Sequence, residues 1–227
     1  MKPRFIQINC CESGNVDLRQ AQAVLKYKPD AILFEYPNDQ KTLGYSVNQF
    51  EPKKKPLHNI RKLQKSLRRA SKNDGWVSSD IQVFENIISV WKQGHQILLY
   101  NVDAPFDLVS EWNQVWKNMY PSALRNWLWW VRIFLRELYM TQNIRHVLKN
   151  PQLGTRPTIL VFLQSFHWKH VQFLLSNPSK KQIWNYYFGS FPNFRQSNAY
   201  TTIARENKLF AQHWKKLSPF ANKNKTK

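Results

Sequence analysis

The sequence predicts an α/β protein with a mainly parallel central sheet flanked by helices, one of them long and central. Three observations predict it. Short apolar runs bounded by turn residues recur at 4–10, 30–36, 96–105 and 158–164. Segments with apolar residues at helical spacing lie between them. The run at 30–36 is continuous rather than alternating, the pattern of a strand buried on both faces.

In chain order, "RFIQINC" (4–10) reads as the first strand. "VDLRQAQAVLKY" (16–27) follows as a helix with Leu18, Ala21, Val24 and Leu25 on one stripe. "DAILFEY" (30–36) is a second strand, ended by Pro37, Asn38 and Asp39. Residues 39–56 read as an irregular insertion, and 57–72 as a basic amphipathic helix. "SSDIQVFENIISVWKQG" (78–94) is a helix with Gly94 at its stop, and "QILLYNVDAP" (96–105) a strand closed by Pro105. "DLVSEWNQVWKNMY" (107–120) is helical up to Pro121.

The longest element covers about 26 residues from Leu124 to Lys149, roughly 39 Å at helical rise. Trp127, Leu128, Val131, Phe134, Leu135 and Leu138 form its apolar stripe. "TILVFLQ" (158–164) is a later strand, "HWKHVQFLLS" (167–176) a helix, and "QIWNYYFGSFPNF" (182–194) a strand or a packed loop. A single domain is expected over 1–220, with a disordered basic tail at 221–227.

Composition excludes several classes. Hydrophobic residues at 42% and aromatics at 15% rule out a wholly disordered chain. The longest apolar stretch, "NWLWWVRIFL", is too short to span a bilayer, so no transmembrane segment is expected. The first ten residues lack a secretory signal's apolar region. Cys10 and Cys11 are adjacent and cannot bridge a loop, so a cytoplasmic, reducing setting is expected. Neither a G-x-G-x-x-G nor a P-loop motif occurs, and no nucleotide cofactor is expected.

With 34 Lys and Arg against 14 Asp and Glu, the net charge is +20, a field that attracts polyanions. Lys53, Lys54, Lys55, Arg61, Lys62, Lys65, Arg68, Arg69 and Lys72 concentrate it at 53–72. Nucleic acid or another polyanion is one candidate partner for that segment; a merely solvated helix face is the other reading.

Ligands of open α/β sheets lie beyond the carboxyl ends of the strands. Those ends carry Cys10, Glu35, Asp103 and, after a short step, His167. A thiol, two carboxylates and an imidazole make a candidate metal or acid–base cluster. Equally, strands end in polar residues because loops meet water. Glu35 ends an apolar run, so a cation partner is expected there, metal or arginine. Asp103 before Ala-Pro reads first as a turn cap. His167 and His170 are three apart and share a helix face, yet His170 is expected to be exposed and outside the site. Arg136 and Glu137 flank the long helix's apolar stripe, with Arg132 one turn back.

The segments "FIQINC", "KPDAILFEYPND", "LLYNVDAPFDLVSEW", "RELYMTQNI" and "ILVFLQSFH" occur in an order that resembles a compact, divergent TraB/ChaN/TIKI-like (EreA/ChaN-type) protein. The resemblance implies a shared α/β fold and a superfamily that includes metal-dependent peptidases and haem-binding relatives. The family's first Gly-x-x-His corresponds to Gln7-Ile8-Asn9-Cys10, and its later one to Gln164-Ser165-Phe166-His167. One histidine is therefore kept, one is a cysteine, and both glycines are absent. Glu35 matches the strand-two glutamate and Glu137 the helix's acidic position, beside Arg136.

The enzyme expected on this basis is a metal-dependent hydrolase, a peptidase among the candidates, acting on a peptide or small molecule. His167, Cys10 and Glu35 hold a divalent Mn, Co or Zn ion; Glu137 assists as base, and Arg136 steadies negative charge. The alternatives are a non-enzymatic basic module binding a polyanion, and an inactive TraB/ChaN-like scaffold.

Overall fold

The expected apolar runs form strands β1 (Arg4–Gln7), β2 (Ala31–Phe34), β3 (Leu98–Asn101) and β4 (Thr158–Phe162). The computed structural model describes residues 3–8, 18–35, 78–105, 108 and 122–221. Every strand pairing is parallel, in the order β1-β4-β2-β3. Ile6, Leu160, Ile32 and Leu99 lie in register across the sheet. The last strand in sequence thus inserts between the first two, bringing the carboxyl ends of β4 and β2 side by side.

The chain divides into two compact units, 1–103 with 143–169, and 104–142 with 170–227. In the first, helices α1 (Leu18–Tyr27) and α2 (Ser78–Lys92) pack on one sheet face. Ala21 and Val24 from α1, with Val83, Phe84 and Ile87 from α2, meet Ile32, Phe34, Leu99, Leu160 and Phe162. The alternate strand residues Leu33, Leu98, Tyr100 and Val161 are also buried, so both faces are covered. Each such aliphatic side chain contributes about 1.5–3 kcal/mol on burial.

Helix α2 stops as its sequence foretells. Gly94, at φ 86°, takes the left-handed position that a Cβ disfavours. The Gly94 amide donates to Trp91 O and the His95 amide to Val90 O, closing the last turn. Helix α1 corrects the expected stripe: Leu18 is 61% and Leu25 43% exposed, while Gln20, Ala21, Ala23 and Val24 are buried.

The long helix, α3, runs from Ser122 to Val147, shifted two residues from its expected bounds. Helix α4 (Ser165–Leu175) follows β4, and the second unit adds α5 (Lys180–Phe188), α6 (Ala199–Glu206) and α7 (Lys208–Leu217). The aromatic segment expected as strand or loop is therefore largely helix, begun by a capping box between Ser179 and Gln182. The second unit's core gathers Trp127, Phe134, Tyr187, Phe188, Phe210 and Trp214. Phe134 meets Phe188 and Trp214 edge-on, with centroids 5.5 and 5.7 Å apart.

Among the described residues, no helix is long and apolar enough to cross a membrane. The insertion at 39–56, the basic helix at 57–72, the tail beyond Ala221 and, apart from Leu108, the helix at 107–120 lie outside the described residues.

Candidate functional site

The parallel pairing of β2 with β4 decides where Glu35 lies. Its amide donates to Phe162 O at 3.2 Å, one step beyond the strand, and its Oε2 accepts the Gln164 amide at 2.8 Å. Gln164 is also the cap of α4, since the Trp168 amide donates to its carbonyl at 2.9 Å. The carboxylate thus meets the positive end of a helix and satisfies one of the amides that every helix start leaves over.

His167 enters on the first turn of that helix. Its Nε2 stands 3.6 Å from Glu35 Oε1, and the two side chains are only 3% and 6% exposed. The ring edge of Phe166 flanks His167, with centroids 5.4 Å apart. So β4 does deliver His167 to the carboxyl edge of the sheet, beside the glutamate that ends β2.

A separation of 3.6 Å is too long for a hydrogen bond. It is close to the roughly 3.4 Å between two ligand atoms at adjacent corners of a tetrahedral zinc site with bonds of about 2.1 Å. Glu35 and His167 therefore fit two corners of such a site. Among the described residues, no group of three or more His, Cys, Asp or Glu could hold a metal. Cys10, the third expected ligand, lies outside the described residues, as do Lys53, Lys54, Lys55, Arg61, Lys62, Lys65, Arg68, Arg69 and Lys72.

Asp103 is buried after β3; its amide donates to Asn101 Oδ1 at 3.1 Å, and its carbonyl accepts from the Asn143 amide group at 3.5 Å. Both contacts are made by the backbone of Asp103, and the side chain that closes this turn is that of Asn101.

Glu137 and Arg136, on α3, belong to the second unit. Glu137 is fully buried. His170 Nδ1 lies 2.8 and 3.0 Å from its two oxygens, and the Tyr187 hydroxyl donates to Oε2 at 2.6 Å. A carboxylate only accepts, so Nδ1 carries the proton. Trp130 lies against the imidazole with centroids 5.9 Å apart, and Tyr186 meets it edge-on at 5.3 Å. Burial and then the charge of Glu137 hold the Tyr187 phenol well above its ordinary range and raise Tyr186 as well. Arg136 is half-buried, and the Arg132 guanidinium sits 5.4 Å from the Trp129 ring.

His170 is thus not the exposed residue expected: it is 6% exposed. The two histidines of α4 take different glutamates, His167 with Glu35 and His170 with Glu137. One signal for the second set was present in the sequence. Glu137 continues the buried series Trp127, Phe134 and Thr141 at spacings of three, four and seven, so a charge had to be accommodated inside. Nothing in the sequence marked Tyr187 as its partner.

Compared with protein-family models, with curated proteins and with solved structures, the chain matches none.

Proposed function

We propose that the carboxyl edge of the sheet is a hydrolytic site built on Glu35 and His167, of the metal-dependent TraB/TIKI-like type, acting on a peptide or small molecule. One observation carries this reading: a buried carboxylate and imidazole, 3.6 Å apart, one just past the end of β2 and the other on the first turn of the helix that follows the adjacent parallel strand β4. That is where open α/β sheets bind ligands.

The chain's own residues divide the work. The Gln164 amide fixes one oxygen of Glu35 and leaves Oε1 toward His167. In this reading the carboxylate, placed at the positive end of the helix, holds a cation or accepts a proton from water. His167, rigid on the first turn of α4, faces it through Nε2 and serves as second ligand or proton carrier. Cys10 is the third ligand in this reading. A bound Mn, Co or Zn ion supplies Lewis acidity and an acidified water. Glu137, expected as a base, already accepts from His170 and Tyr187. Within this reading it orients His170, because both of its oxygens are already engaged.

Metal content of the full-length protein, measured by mass spectrometry on wild type, His167→Ala and Glu35→Gln, tests the reading. The expected result is about one transition metal per chain, lost in both variants. No bound metal, even after reconstitution with manganese, cobalt and zinc, overturns it.

The charge of +20 favours a second reading, polyanion binding through 53–72. It predicts affinity falling with salt at a log–log slope of about −0.9 per phosphate neutralised on duplex DNA.

A further inference from the structure

The second unit holds a cleft of about 750 Å³, within the size range of small-molecule sites. Its walls come from the turn before α6, the start of α6, the last turn of α7 and the turn after it. Arg195 and Lys215 line it, with Gln196 and Ser197 as neutral polar groups and Tyr200 and Phe220 as aromatic ones. No carboxylate is among its described lining residues.

Both cations are exposed, and neither forms a salt bridge among the described residues. The two rings differ in kind. Tyr200 is 43% exposed, whereas Phe220 is 7% exposed and fixed by the core. Trp184 meets Phe220 edge-on at 5.2 Å, Trp214 stacks on it at 5.9 Å, and its amide donates to Ser218 Oγ at 3.1 Å. One aromatic wall is thus rigid and the other accessible.

We infer that this cleft binds a small organic anion in which a phosphomonoester is attached to a planar ring. Two cations match the charge of about −2 on such a phosphate, and an arginine fork can engage two of its oxygens at once. A guanidinium and an ammonium with no carboxylate among the described lining residues lose little on meeting an anion, because no ion pair within that lining has to be broken first. The ring of the ligand covers the exposed face of Tyr200, beside the fixed edge of Phe220. Ser197 and Gln196 supply the neutral hydrogen bonds that fix orientation. The inference stands apart from Glu35 and His167 and fails or holds independently of them.

Titration calorimetry on the full chain, with adenosine monophosphate, inorganic phosphate and adenosine as probes, tests it. The expected result is saturable binding of the monophosphate with a Kd of about 0.1 mM or tighter. Inorganic phosphate and adenosine each bind at least roughly tenfold more weakly. The double substitution Arg195→Gln and Lys215→Gln, both at exposed positions, raises that Kd at least roughly tenfold, and Tyr200→Leu raises it without changing the phosphate titration. Three results each overturn the inference: no saturable heat up to about 1 mM, inorganic phosphate binding as tightly as the ester, or an unchanged Kd in the double variant.

Discussion

Each compact unit holds a buried glutamate facing a histidine of α4, and the two pairs are built differently. Glu137 spends both oxygens on strong donors, at 2.6 to 3.0 Å from the Tyr187 hydroxyl and His170 Nδ1, inside aromatic side chains. Glu35 spends one oxygen on a backbone amide and stands 3.6 Å from His167 Nε2 with the other. The first arrangement satisfies a buried charge completely; the second leaves a carboxylate and an imidazole at ligand spacing. Burial is common to the two pairs; the separation between the partners is not.

Removing the carboxylate from the satisfied set should have the largest effect. Glu137→Ala strands the His170 imidazole and the Tyr187 hydroxyl in an apolar core and opens a cavity. A loss of about 3–5 kcal/mol in urea unfolding is expected. Glu137→Gln, which keeps an acceptor for Tyr187, should recover part of it. A Glu137→Ala protein as stable as wild type would break the contrast, because the second pair would then be no more structural than the first.

The next effect concerns the phenol. Tyr187→Phe deletes a donor to a buried charge, at a cost of about 1.5–3 kcal/mol at neutral pH. Its pH dependence follows from the raised phenol. Above pH of about 10 the unfolded chain releases the Tyr187 proton while the folded chain keeps it, so wild-type stability falls as pH rises toward the folded value. The Phe variant lacks that slope. The stability gap between the two proteins should therefore narrow through the alkaline range, as read from unfolding curves at several pH values; a gap independent of pH would mean that neither burial nor Glu137 raises the phenol in the folded chain.

The contrast also marks what the sequence could reveal. The strands were legible because "AILF", "LLY" and "TILVF" are continuous apolar runs between turn residues, which few structures other than a doubly covered parallel sheet accommodate. Glu35 and His167 were legible for the same reason, since the end of a buried strand is a place that pattern locates. Helix α1 was misphased because Ala21 and Val24 sit on the buried side in either reading, and only packing against α2 decided for Gln20 and Ala23 over Leu18 and Leu25. In α5, the aromatic run "IWNYYF" spoke for strand, and the capping box at Ser179 and Gln182 outweighed it. His170 failed for a deeper reason. Its partner lies 33 residues away on α3, and no local periodicity carries a pairing of that range.

The smallest stability effect should accompany the largest chemical one. Glu35→Gln keeps an oxygen that can accept from the Gln164 amide and gives up the attraction between a charge and a helix end, worth about 0.3–1 kcal/mol. Urea unfolding should therefore barely distinguish Glu35→Gln from wild type. Metal content and any hydrolysis that depends on it should disappear, since an amide oxygen is a poor replacement for an anionic ligand. The combination is diagnostic in both directions. A variant stable to within about 1 kcal/mol and without metal places the role of Glu35 in chemistry. A variant that loses several kcal/mol, with wild type binding no metal, makes Glu35 a tertiary cap on α4 and leaves the two pairs alike in kind, differing only in how tightly each is closed.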